Sequence, residues 1–74
     1  MSVARITEIS STSTKSFEDA IQKGIARATK TIRNVRSAWV KEQQIKIEED
    51  SITEYQVNLM ITFVLDEGDQ EDLA

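Results

Sequence analysis

The chain has 74 residues, 30% charged and 39% hydrophobic, and a formal charge of −4, with neither cysteine nor histidine. The missing cysteine excludes disulfides and thiolate zinc sites, and the missing histidine removes the commonest metal ligand and the commonest general base near neutral pH. A chain this short buries only about 60% of the surface its unfolded form exposes, so association with further copies is the support that remains.

The first element is a strand over Val3 to Ser10, which mixes β-branched residues with Arg5 and Glu8. Met1 to Ser10 lack the continuous apolar stretch of a signal peptide, and no apolar run approaches the roughly 18 residues that span a bilayer. A cytoplasmic protein with no membrane contact is expected. The hydroxyl-rich run Ser10-Ser11-Thr12-Ser13-Thr14-Lys15-Ser16 then predicts a loop, because such side chains compete with backbone hydrogen bonds. Ser16 and Asp19 have the spacing of a capping box that opens a helix at Phe17. Phe17, Ala20, Ile21, Ile25, Ala28 and Ile32 recur at intervals of three and four, which gives that helix one apolar face. Gly24 among them costs up to about 1 kcal/mol against alanine unless close packing requires it. Lys23, Arg27 and Lys30 form the opposite stripe, which reads as a solvated helix face. No aromatic residues interleave it, so a nucleic-acid partner is not expected. The helix is expected to end at Arg33 and Asn34.

Val35 to Ile47 reads as a second long strand, and Glu48-Glu49-Asp50-Ser51 as the turn after it. In the third strand Tyr55, Val57, Leu59, Ile61, Phe63 and Leu65 alternate with Gln56, Asn58, Met60, Thr62 and Val64, which makes one face strongly apolar. A tight turn places Val40 near Leu59 and Ala38 near Ile61, with the even positions of the second strand facing the helix. Ser37 and Trp39 then share the opposite face with Gln56. The fold class is α+β with order β-α-β-β: a three-stranded antiparallel sheet partly wrapping one helix. One helix covers one face of that sheet, so the face carrying Trp39, Met60 and Val64 must be covered by another subunit or a ligand. The last nine residues hold five acids and no base, while residues 1–65 hold eight acids against nine bases. One domain over 1–65 and an acidic, disordered tail over 66–74 are expected.

Three stretches carry a family resemblance. Ser16-Phe17-Glu18-Asp19-Ala20-Ile21-Gln22 through Ile25-Ala26-Arg27-Ala28 and Lys30-Thr31-Ile32-Arg33-Asn34 resembles the helix of the dodecins, small flavin-binding proteins of bacteria and archaea. Ile47-Glu48-Glu49-Asp50 and Tyr55-Gln56-Val57 resemble their hairpin in the same gapless register, and Ser11-Thr12-Ser13 matches a usual Gly-Thr-Ser. The resemblance spans residues 3–66. It implies a hollow homododecamer that binds riboflavin or FMN in pairs near symmetry axes, with the isoalloxazine ring stacked on tryptophan and hydrogen-bonded by glutamine. Storage or protection of flavin is implied rather than turnover.

The glutamine carries over as Gln56. The tryptophan position falls on Ser37, and this chain's only tryptophan, Trp39, stands two residues later, about 6.6 Å along a strand. Two basic positions that are candidates for holding a ligand phosphate are Gln44 and Val64 here. Gln56, Trp39, Ser37 and Arg36 are the expected ligand-contact residues, with Arg36 also a candidate for a salt bridge between subunits. No nucleophile–base pair can be assembled, so no enzyme is expected. The alternative is a dodecin-like shell that has lost flavin and is purely structural, or holds another small ligand or an ion, for instance through Glu48, Glu49 and Asp50 repeated about an axis.

Overall fold

Four elements follow one another in a computed structural model that describes residues 3–65: β1 (Ala4–Ser13), α1 (Phe17–Thr31), β2 (Val35–Glu48) and β3 (Ser51–Val64). The strands form one antiparallel sheet in the order β1-β3-β2, so the most apolar strand is central. The acidic segment 66–74 lies outside the described residues.

β1 is longer than its composition suggests. The expected loop from Ser10 is instead strand as far as Ser13, because Ser11, Thr12 and Ser13 pair with Val57, Gln56 and Tyr55 of β3. The Ser11 and Ser13 hydroxyls have tertiary partners and no longer compete with the ladder. Ser11 Oγ donates to the Ala20 carbonyl at 2.7 Å, and the buried Ser13 Oγ donates to Asp19 Oδ2 at 2.6 Å.

α1 begins as expected, with Ser16 Oγ accepting from the Asp19 backbone N–H at 3.0 Å. The reciprocal half of the capping box is absent among the described residues. The Asp19 carboxylate turns to Ser13 and to Lys23 Nζ, 3.2 Å away. The helix stops at Thr31, short of the expected Asn34. Ile32 is its C-cap, and Asn34 adopts φ 62°, a left-handed conformation that asparagine tolerates, to turn the chain into β2.

Ala20, Gly24 and Ala28 are the buried positions of α1, and they pack on Val57, Leu59 and Ile61 of β3. The odd residues of β3 thus face the helix, as the alternation predicts. β2 and β3 meet in a two-residue turn, Glu49-Asp50, whose φ values of 52° and 66° are those of a type I′ hairpin.

The β2–β3 register is not uniform. Thr53 is an extra residue on β3, and Lys41 and Arg36 are extra residues on β2. The bulges at Thr53 and Lys41 offset each other, so Ala38 opposes Ile61 and Val40 opposes Leu59, as expected. Between them the parity of β2 is inverted. Glu42, Gln44 and Lys46 oppose Asn58, Gln56 and Glu54, so these even residues face away from the helix. The expectation that all even positions of β2 face α1 is therefore corrected: a one-residue shift moves every side chain to the other face.

The molecule is elongated, 57 × 19 × 13 Å, and the hairpin projects beyond α1. Every residue from Lys41 to Glu48 is exposed. Ile45, Ile47 and Ile52 are exposed near the hairpin tip, and Ile6 and Trp39 on the sheet's outer face. No helix among the described residues is long and apolar enough to cross a membrane.

Candidate functional site

The face of the sheet opposite α1 is built from three alternating rows. β1 contributes Ile6, Glu8, Ser10 and Thr12; β3 contributes Thr62, Met60, Asn58 and Gln56; β2 contributes Ser37, Trp39, Glu42 and Gln44. Trp39 opposes Met60 and is 49% exposed, a large aromatic surface left open to solvent. Without the Lys41 bulge, Trp39 would oppose Ile61 and point at the helix. The bulge is what puts the indole on this face.

Gln56 is half-buried between Thr12 of β1 and Gln44 of β2. Its Nε2 donates to Asn58 Oδ1 at 3.2 Å. Asn58 Nδ2 donates in turn to Glu8 Oε2 at 3.4 Å, and Lys41 Nζ reaches across β3 to Glu8 Oε1, also at 3.4 Å. Four polar side chains from three strands thus form one connected row beside Met60 and Trp39. The Lys41–Glu8 pair is well exposed and contributes at most about 1 kcal/mol to stability. What the row supplies is orientation.

Of the four expected contact residues, Ser37, Trp39 and Gln56 share this face. Ser37 lies farthest from Gln56, opposite Thr62, and is exposed. Along β3 the tryptophan is four residues from Gln56, about 13 Å, while a tryptophan at position 37 would be six residues away, about 20 Å. The displacement to position 39 brings the ring nearer to the amide. Arg36 is the bulged residue at the start of β2, exposed and without an ion pair among the described residues. The turn acids Glu49 and Asp50 are exposed, and no group of three or more acidic side chains within the described residues is placed to hold a metal ion.

Asn58, Glu8 and Lys41 were not singled out by sequence reasoning. Alternation alone places Glu8 and Asn58 on the outer face. The Lys41 link depends on a bulge with no glycine or proline to mark it.

A hollow of about 110 Å³ opens between Gln44 and Gln56. It is smaller than the roughly 300 Å³ at which ligand pockets begin. The larger concavities lie elsewhere: about 460 Å³ and about 330 Å³ beside the helix C-terminus and about 360 Å³ between β1 and α1, none lined by Trp39 or Gln56. All three are open grooves of an isolated subunit that leave out Trp39 and Gln56, so the outer face remains the better candidate. One subunit does not enclose a ligand there.

Residues 3–66 match the Dodecin protein family. The chain belongs to the dodecin family. It is 43% identical over 60 residues to the dodecin of Thermus thermophilus, an alignment covering 81% of this chain and 87% of that protein. The crystal structure of an arginine-to-alanine variant of T. thermophilus dodecin superposes with a TM-score of 0.82 at 40% identity, covering 88% of this chain and 97% of that one. The dodecin of Streptomyces davaonensis gives a TM-score of 0.84 at 33% identity, covering 89% and 97%. A third relative is described as a calcium-chelating calcium dodecin of Mycobacterium tuberculosis, with a TM-score of 0.76 at 28% identity over 86% and 91%. The β-α-β-β subunit is the dodecin fold, as the sequence resemblance implied. Dodecins are small, non-enzymatic binding proteins.

Proposed function

We propose that this chain forms a cytoplasmic homododecameric shell that sequesters flavin, riboflavin or FMN, between outer sheet faces of neighbouring subunits. The observation that carries the reading is Trp39 open on the same face as Gln56, with a row of hydrogen-bonding side chains beside it. A tricyclic ring can stack on the indole while its polar edge meets amides. Gln56, Trp39 and Ser37 lie on the face that meets the ligand, and Arg36 stands at its rim. The exposed Ile6, Ile45, Ile47 and Ile52 support association with further copies, since each leaves apolar surface in water.

The side chains around Gln56 favour riboflavin over its phosphate. Lys41 is paired with Glu8 and Lys46 with Glu54, and Gln44 is neutral. A dianionic phosphate gains little from ammonium groups already engaged by carboxylates.

Fluorescence titration of riboflavin and FMN with ligand-stripped protein, alongside native mass measurement, tests the proposal. Saturable quenching by a species far above 8.4 kDa is expected, with riboflavin the tighter ligand. A monomer at micromolar concentration would refute the shell. No quenching at tens of micromolar would turn the reading to the alternative, a shell without flavin that is structural or holds another small ligand or an ion. The calcium dodecin of M. tuberculosis, described as having a calcium-binding site, supports the ion version, in which carboxylates repeated about an axis of this shell would hold the cation.

A further inference from the structure

The polar row on the outer face has a direction. A carboxylate only accepts hydrogen bonds, so of the two ends of the Asn58 amide only the NH₂ can face Glu8, as it does at 3.4 Å. That turns Asn58 Oδ1 towards Gln56, and only the Gln56 NH₂ can meet it, as it does at 3.2 Å. The sequence of donors and acceptors is therefore set at the carboxylate, which can only accept, and propagates through two amides that are otherwise free to turn over. Lys41 secures the start. Its ammonium, with donors only, stands 3.4 Å from the other carboxylate oxygen and holds Glu8 over β3. At the far end, Gln56 Oε1 is left as the acceptor offered to a ligand.

We propose that Glu8 is a positioning residue which, through Asn58, sets the polarity of Gln56, so that the site takes a heteroaromatic ring presenting an N–H donor. The imide edge of isoalloxazine, with N3–H between two carbonyls, has that pattern: N3–H donates to Gln56 Oε1, and a flanking carbonyl can accept the second N–H of the same amide. The inference rests on the flavin reading above. With Glu8 neutral and able to donate, both amides can invert together, and the inverted Gln56 sets its NH₂ against the ring N–H.

The test compares riboflavin with 3-methylriboflavin, which lacks the N3 proton, by quenching titration of the ligand-stripped assembly. The wild-type protein should bind riboflavin about tenfold tighter than the methylated analogue, as expected for losing one hydrogen bond and leaving its acceptor unmet. Glu8→Gln should narrow that ratio to about threefold or less, chiefly by weakening riboflavin. Glu42→Gln is the control, since Glu42 opposes Asn58 on β2 but makes no hydrogen bond to it among the described residues, and it should keep the wild-type ratio. Asn58→Ser interrupts the row while leaving the Glu8–Lys41 pair in place, and carries the same comparison should Glu8→Gln fail to assemble.

An unchanged ratio in Glu8→Gln and Asn58→Ser, or equal wild-type affinity for the two flavins, overturns the proposal while leaving flavin binding intact. A wild-type protein that quenches neither flavin overturns the flavin reading itself, and the assignment of Glu8 falls with it.

Discussion

Gly24 of α1 lies so close to Ser11 of β1 that a methyl group between them would force the neighbours to give way. A Cβ at position 24 would stand 3.0 Å from Ser11 Cβ, 3.3 Å from Ser11 Oγ and 3.1 Å from Leu59 Cδ1. The Ser11 hydroxyl also donates to the Ala20 carbonyl, one turn earlier, and ties the helix to the strand at that height.

Gly24→Ala therefore sets two effects against each other. Alanine gains up to about 1 kcal/mol of helix propensity, while overpacking a closed contact costs about 1–3 kcal/mol. Ser11 Cβ is fixed to a paired strand and cannot swing aside, so overpacking wins and net destabilisation is expected. Thermal unfolding of Gly24→Ala and of the double variant with Ser11→Gly checks this. Removing the Ser11 side chain eliminates two of the three close contacts, so the double variant should be more stable than the sum of the single effects.

The hairpin turn is open to improvement. Glu49 and Asp50 both hold positive φ, 52° and 66°, where side chains other than glycine and asparagine carry a steric cost. Asp50→Gly with Glu49→Asn should raise stability by about 0.5–1 kcal/mol, since neither side chain makes a hydrogen bond among the described residues and the changes relieve strain. A shift of the denaturation midpoint to higher denaturant with unchanged slope is the expected reading.

Asp19 links pH to the β1–α1 junction. Its carboxyl is held below the ordinary 3.8, first by the hydrogen bond from Ser13, then by Lys23, with Lys15 adding a smaller attraction. The folded protein therefore binds fewer protons at Asp19 than the unfolded chain does. The contribution is fully present above the unfolded value and is lost as pH falls through the lower, folded value. Asp19→Asn should be less stable than wild type at neutral pH, and the gap should close in acid; a gap independent of pH would show that Asp19 acts through packing alone.

Trp39 is half exposed and opposes Met60, away from the buried core. Trp39→Ala is expected to keep the subunit fold and the assembled mass, while riboflavin affinity falls by the stacking contribution of about 0.5–1.5 kcal/mol together with the lost contact area. Trp39→Phe should recover part of that affinity. Both are read by quenching titration with native mass measured in parallel.

Much of this structure was legible in the chain itself. Alternation from Tyr55 to Leu65 marked the third strand and its apolar face, and the spacing of Ala20, Ile21, Ile25 and Ala28 marked the helix. Ser16 marked its first turn. These readings rest on local geometry, where a period of 2 or 3.6 shows which side chains share a face. Alternation put Ser37 and Trp39 on one face, but they share it with Gln56 as expected only because the bulges at Thr53 and Lys41 offset each other. The dodecin family was legible from the order of residues in the helix and hairpin.

The rest waited for the tertiary structure, because it depends on partners distant in sequence. Ser10 to Ser13 became strand once Val57, Gln56 and Tyr55 offered a ladder and Ala20 and Asp19 took the hydroxyls. Gly24 acquired its reason only when Ser11 and Leu59 closed on it. The bulges at Thr53 and Lys41 left no mark in the alternation, yet they reverse the facing of Glu42, Gln44 and Lys46 and allow Lys41 to meet Glu8. A bulge is settled by how two strands best match their apolar faces and twist along their whole length. That balance is struck between strands, and no single strand contains it.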